Sequence, residues 1–199
     1  MKLHHPLLIV FVLSLIVSAC APAQTQAANT PQPAATAVPT SIPTLAPTTV
    51  TTPDWFNIPL TDVQTGETFT MNDYAGKVVL VETMAVWCPT CILQASYIYK
   101  LHDLLGHPED LISVSLDVDL NEDAATVKEY TDQYGFDWHF VVPPIEVDRA
   151  LGNLYSAQYL NPPLAPMLII DRQGNVHQLE YGLKDTDVLR EAVEPFLAE

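Results

Sequence analysis

Two cysteines three residues apart, Cys88 and Cys91, are the residues of this chain best suited to chemistry; Pro89 and Thr90 lie between them and Trp87 stands in front. Disulfide exchange needs a reactive thiolate, a second thiol that resolves the mixed disulfide, and a way to move a proton. The spacing offers the first two, because residues three apart on a helix lie one turn apart on the same face, where two sulfurs can close a small ring. A plain stabilising disulfide is the blander reading, but so short a loop constrains an unfolded chain little. Zinc would need two more ligands, and His102, His107, His139 and His177 are scattered with no paired spacing, so neither a metal nor a cofactor is expected. Two thiolates can still hold Cu(I), which keeps a non-catalytic binding module as the alternative from a different class.

The elements that must position the pair are legible around it. Residues 78–81 are four apolar residues without alternation, which predicts a central strand covered on both faces. After Cys91, apolar residues Ile92, Tyr97, Ile98, Leu101, Leu104 and Leu105 recur at helical spacing. Cys88 therefore sits where a strand turns into a helix, and there free N–H groups and the positive end of the helix dipole favour a thiolate. Glu82 lies inside the apolar run, six residues before Cys88. A carboxyl there is expensive to bury unless it is protonated, paired or useful. The competing reading is a strand-edge carboxylate that reaches water or Lys77.

Strands and helices alternate along the remainder. Residues 57–70 predict a short strand pair around Gln64, Thr65 and Gly66, and residues 111–116 a second buried strand. Asn121 is placed to cap a helix over 122–134 that Gly135 ends. A strand over 138–142, a helix over 148–159 and a strand over 167–170 follow. The turn at 171–175 makes a hairpin into 176–181, and an amphipathic helix over 186–197 closes the chain. This order describes an α/β sandwich whose last two strands form a hairpin.

The N-terminal quarter has another character. Residues 1–19 hold Lys2, an apolar run over 7–17 and the small residues Ser18 and Ala19, which is the layout of a secretory signal. The run is too short for a spanning helix, which needs about 20 residues. Val17-Ser18-Ala19-Cys20 resembles the bacterial lipobox, in which the cysteine is diacylglycerol-modified and becomes the mature N-terminus. Residues 21–53 are mostly Ala, Pro, Thr and Gln without a charge, so a mobile linker over 20–53 is expected ahead of one domain at 54–199. All 24 acidic residues lie from Asp54 onward, and of the 8 Lys and Arg residues only Lys2 precedes it. So acidic a domain repels nucleic acid and anionic membrane surfaces. With Cys20 taken by lipid, Cys88 and Cys91 remain as one pair, with no cysteine left for a structural framework.

The strand, the Trp-Cys-Pro-Thr-Cys sequence and the helix after it resemble the redox centre of a thioredoxin fold, and their surroundings are similar to the membrane-anchored, TlpA-like branch. The resemblance covers about residues 55–199. It is carried by GETFTMNDYAGK at 66–77, by WCPTC, by Glu82, and by Ala165-Pro166 ahead of MLIID. It implies a thioredoxin-like α/β fold, with a mixed central sheet flanked by helices and an N-terminal hairpin extension. It also implies a monomeric thiol:disulfide oxidoreductase that reduces extracytoplasmic protein disulfides and draws on an extracytoplasmic electron donor. By the same resemblance Cys88 attacks, Cys91 lies deeper and resolves, and Glu82 matches the buried Asp of thioredoxins that moves the proton of the second cysteine. Trp87, Pro89, Ala165 and Pro166 fall where clients bind. Only about 5 to 6% of X-Pro bonds are cis, so local sequence favours a trans Pro166, whereas the family implies a cis bond facing the cysteines. The chain departs from the family at Gln94, Ala95 and Ser96, where a Pro and an acidic residue are usual, and at Ala165, where Thr or Val is usual. Peroxiredoxins, which share the fold, place a Thr and a Pro ahead of a single cysteine, and Thr83 through Trp87 do not make that pattern.

Overall fold

The computed structural model describes residues 52–199, so the signal segment, Cys20 and nearly all of the linker lie outside the described residues. Among the described residues a 3-10 turn, Asp54–Asn57, comes first and is followed by a two-stranded antiparallel hairpin, β1 (Leu60–Thr61) with β2 (Thr68–Phe69), in the place expected for the strand pair. The main sheet has five strands in the order β5-β4-β3-β6-β7. β3 (Val78–Met84), β4 (Leu111–Asp117) and β5 (His139–Val141) run parallel, while β6 (Met167–Ile170) is antiparallel to β3 and forms a hairpin with β7 (Val176–Gln178). All seven residues of β3 are buried, which explains its unbroken apolar run, since helices cover both faces of a parallel core.

Alternation along β3 sends Val78, Leu80 and Met84 to one face, with residues of helices α1 (Pro89–Leu105), α2 (Ala124–Tyr134) and α4 (Thr186–Leu197). Val79 and Val81 point the other way, to Val147 and Leu151 of α3 (Ile145–Leu154) and to Trp55 and Phe56. Both cysteines belong to the first face.

Several boundaries differ from the sequence expectation for identifiable reasons. Asp123, not Asn121, caps α2: its carboxylate accepts from the Thr126 backbone N–H at 2.9 Å, while Asn121 donates to Asp119. The helix expected over 148–159 begins earlier, at Ile145 behind Pro144, and stops at Leu154. Ser156 then adopts an extended backbone and its hydroxyl accepts from the Gln158 N–H at 3.1 Å, starting a separate 3-10 turn, Ala157–Leu160. A further 3-10 turn, Pro162–Leu164, leads into β6.

The Ala165–Pro166 peptide corrects a second expectation, for no cis bond occurs among the described residues. The reversal expected of a cis proline is made one residue earlier, by Ala165 in the left-handed region at φ 46° and ψ 58°. The Ala165 N–H donates to the Pro162 carbonyl at 2.8 Å, and the Gly182 N–H ties down the Leu164 carbonyl at 2.7 Å. With the turn complete at Ala165, Pro166 continues directly into the sheet in the ordinary trans form, and its carbonyl accepts from the Thr83 N–H at 3.2 Å.

Candidate active site

The pair sits at the junction that the sequence predicts. β3 ends at Met84, a turn closes with the Cys88 N–H donating to the Ala85 carbonyl at 3.1 Å, and Cys88 becomes the N-cap of α1, with Pro89 at its first position. Cys88 and Cys91 are at disulfide distance, with Cα atoms 5.3 Å apart. The Cys91 backbone N–H donates to the Cys88 Sγ at 3.2 Å, so the sulfur occupies the place of an N-cap oxygen at the positive end of a 17-residue helix. The expectation that Cys91 lies deeper than Cys88 needs correction: Cys88 is 0% and Cys91 2% exposed. The reason is the N-cap geometry, which folds the Cys88 side chain back over the first turn and into the cluster that holds Cys91. Trp87 is left outside at 56% exposure, its indole N–H donating to Asp119 at 2.5 Å.

Glu82 is buried, not a strand-edge carboxylate. It is 3% exposed, and Lys77 donates instead to the Glu109 carbonyl at 3.0 Å. Residue alternation puts Glu82 on the same face of β3 as Leu80 and Met84, the face that packs against both cysteines. The Ser115 hydroxyl donates to its carboxylate at 2.5 Å and receives the Trp138 indole N–H at 2.8 Å. Burial pushes Glu82 up to about 7; the Ser115 hydrogen bond and the Lys184 charge pull the other way. A carboxyl poised near neutrality can both take and give a proton.

The structure adds residues that sequence reasoning passed over. Pro162 brings its carbonyl to 3.6 Å from the Cys91 Sγ. Glu122 accepts the Val86 backbone N–H at 2.8 Å, two residues ahead of Cys88. Next to it the buried Asp117 carboxyl is raised by burial, with Glu122 adding to the effect. Gln94 read as a departure from the family, yet it is 1% exposed and bonds to the Lys184 backbone through both ends of its amide. Lys184 itself, between Leu183 and Asp185, carries no sequence signal of burial.

Comparisons with known proteins agree with this geometry. The Redoxin family profile matches residues 27–193. A thiol-disulfide oxidoreductase, ResA, from Halalkalibacterium halodurans is 25% identical over 138 residues, covering 69% of this chain and 72% of that protein. Among solved structures, a thiol:disulfide interchange protein of the thioredoxin family from Chlorobium tepidum superposes with a TM-score of 0.57 at 20% identity, covering 73% of this chain and 96% of the other. A secreted disulfide oxidoreductase of Mycobacterium tuberculosis gives 0.53 at 15% identity, covering 70% and 96%. These structural likenesses show the thioredoxin fold. With the profile spanning most of the chain and a paired Cys-x-x-Cys at the head of α1, the chain belongs to the Redoxin family and is a thiol:disulfide oxidoreductase on a thioredoxin fold.

Proposed function

We propose that this protein is an exported, lipid-anchored enzyme that reduces disulfides in extracytoplasmic proteins, with Cys88 as the attacking thiolate, Cys91 as the resolving thiol and Glu82 as the proton carrier. The observation that carries the assignment of roles is the N–H of Cys91 aimed at the Cys88 Sγ at the start of α1, since a donor and a helix dipole there stabilise a thiolate on Cys88 and not on Cys91. In the reduced enzyme the Cys88 thiolate attacks one sulfur of a client disulfide. A Cys88–client bond forms, and the other client sulfur leaves as a thiolate that takes a proton from water. The Cys91 thiol then passes its proton to the Glu82 carboxylate, and its sulfur attacks Cys88. The Cys88–Cys91 bond forms as the Cys88–client bond breaks, so two electrons pass to the client and the enzyme is left oxidised. An external dithiol donor resets it.

Export and anchoring rest on the signal-like N-terminus and on Cys20 in its lipobox-like setting; the secreted mycobacterial structure of the same fold is in keeping with export. Reduction, rather than oxidation, follows the usual role of TlpA-like proteins. Trp87, Pro89, Ala165 and Pro166 are assigned to the client-binding site. The test is the reduction of insulin disulfides by dithiothreitol: wild-type protein should accelerate it, and Cys88→Ser should abolish the acceleration. Equal rates with and without the wild-type protein would remove the enzymatic reading and favour a binding module.

A further inference from the structure

Lys184 lies in the connection between β7 and α4 and is 5% exposed, an unusual place for an ammonium group. Its Nζ donates to the Ala165 carbonyl at 2.8 Å and to the Gly182 carbonyl at 2.5 Å, which occupies two of its three donors. Its backbone is clamped from the opposite side by Gln94: the Gln94 amide donates to the Lys184 carbonyl at 2.9 Å and its oxygen accepts the Lys184 N–H at 2.9 Å. Gln94 stands on α1 one turn beyond Cys91. Lys184 is thus the tie between the cysteine helix and the left-handed residue that turns the chain into β6. Two neutral carbonyls do not neutralise a buried cation, and such a charge is retained only against a countercharge. Glu82 is placed to supply it: across the sheet it pairs with Met167, two residues beyond the Ala165 whose carbonyl holds the ammonium, and it points to the face of β3 that α1 and α4 cover, the helices between which Lys184 is tied.

We propose that Lys184 is a positioning residue of the exchange site, which holds the Ala165 turn against α1 and serves as the countercharge that sets the proton affinity of Glu82. This deepens the proposed role of Glu82 and rests on it only where rates are concerned. The attraction is mutual. Burial pulls Lys184 down to about 8 while the Glu82 charge holds it up, and Lys184 in turn pulls down a Glu82 that burial has raised. The other titratable groups facing Glu82 are the Tyr130 phenol from α2, which burial and then Glu82 raise, and the two thiols of α1 once they are reduced. Ser115 from β4 and Trp138 contribute only neutral hydrogen bonds.

The experiment is a carboxyl-carbon NMR titration of Glu82 in the oxidised protein, paired with the pH profile of the resolving step in the reduced one. Removing a cation makes an acid hold its proton more tightly, so Lys184→Met should move the Glu82 midpoint upward by about one pH unit. Lys184→Arg, which keeps the charge, should leave the midpoint nearer the wild-type value. A midpoint unchanged in a folded Lys184→Met protein would overturn the proposal. Should that variant not fold, the wild-type protein decides: the Lys184 amine should titrate well below its ordinary range and show an inflection at the Glu82 midpoint, and an ordinary, uncoupled lysine would overturn the proposal. If the Glu82 midpoint moves while the resolving rate does not follow, the Lys184 assignment stands and the catalytic role of Glu82 falls.

Discussion

At the scale of single residues, Glu82 carries the most consequential prediction. Glu82→Gln keeps the shape and removes the base, so attack by Cys88 on a client disulfide should hardly change. Resolution by Cys91 should slow by roughly 10²- to 10⁴-fold, as general-base catalysis of ordinary size requires. In the wild type the resolving rate should climb with pH through about 7, where the carboxylate becomes available, and then level off; stopped-flow kinetics separates the two steps. The same group shapes stability. An acid that ionises near 4.5 when unfolded and near 7 when folded binds more protons in the folded state between those values, so stability falls as pH rises across that window and stays low above it. At about 1.4 kcal/mol per pKa unit the fall amounts to roughly 3 kcal/mol. Chemical denaturation of the oxidised protein at pH 5 and pH 7.5 should show a smaller fall in Glu82→Gln than in the wild type, by roughly that amount, the remaining fall coming from Asp117 and Asp148, which burial also raises. Glu82 was legible because a carboxyl within an apolar run has few explanations. Its companions were not: Ser115, Trp138 and Lys184 come from three other segments, and each alone looks like an ordinary strand or surface residue.

At the scale of elements, the strands and helices that position the cysteines were readable because period and punctuation agree. β3 opens on a continuous apolar run at 78–81, α1 starts with its proline at the first turn, and α4 spans Thr186–Leu197 as its apolar stripe predicts. The misreadings fall where side chains compete for backbone groups, as at Asp123 against Asn121 and at Ser156 within the 148–159 stretch. The Pro162–Leu164 turn was missed because three closely spaced prolines allow several backbones, and only tertiary contacts choose among them. Ala165 supplies a test of this turn. At φ 46° and 3% exposure it occupies a conformation that a β-branched side chain adopts poorly. Ala165→Thr, the residue usual in the family, should therefore destabilise the domain by about 1–2 kcal/mol, read as a lowered denaturation midpoint. An unchanged midpoint would show that the turn can switch to an extended backbone at no cost.

At the scale of the whole molecule, the proposed lipid anchor at Cys20, ahead of the acidic domain, makes a prediction of its own. Cys20→Ser should release the domain from the membrane fraction into the soluble extracytoplasmic fraction with loss of the lipid mass; a variant that stays membrane-bound at unchanged mass contradicts the anchor. The proposed division of labour at the head of α1 puts attack on Cys88 and resolution on Cys91. It follows from one donor geometry, the Cys91 N–H on the Cys88 Sγ. The measurement that tests it most directly is the capture of mixed disulfides by the single-cysteine variants, resolved by non-reducing electrophoresis and mass spectrometry. Cys91→Ser should accumulate covalent adducts between Cys88 and client proteins, because the first step proceeds and the second cannot, while Cys88→Ser should accumulate none. Equal adducts from both variants, or none from either, would contradict the assignment.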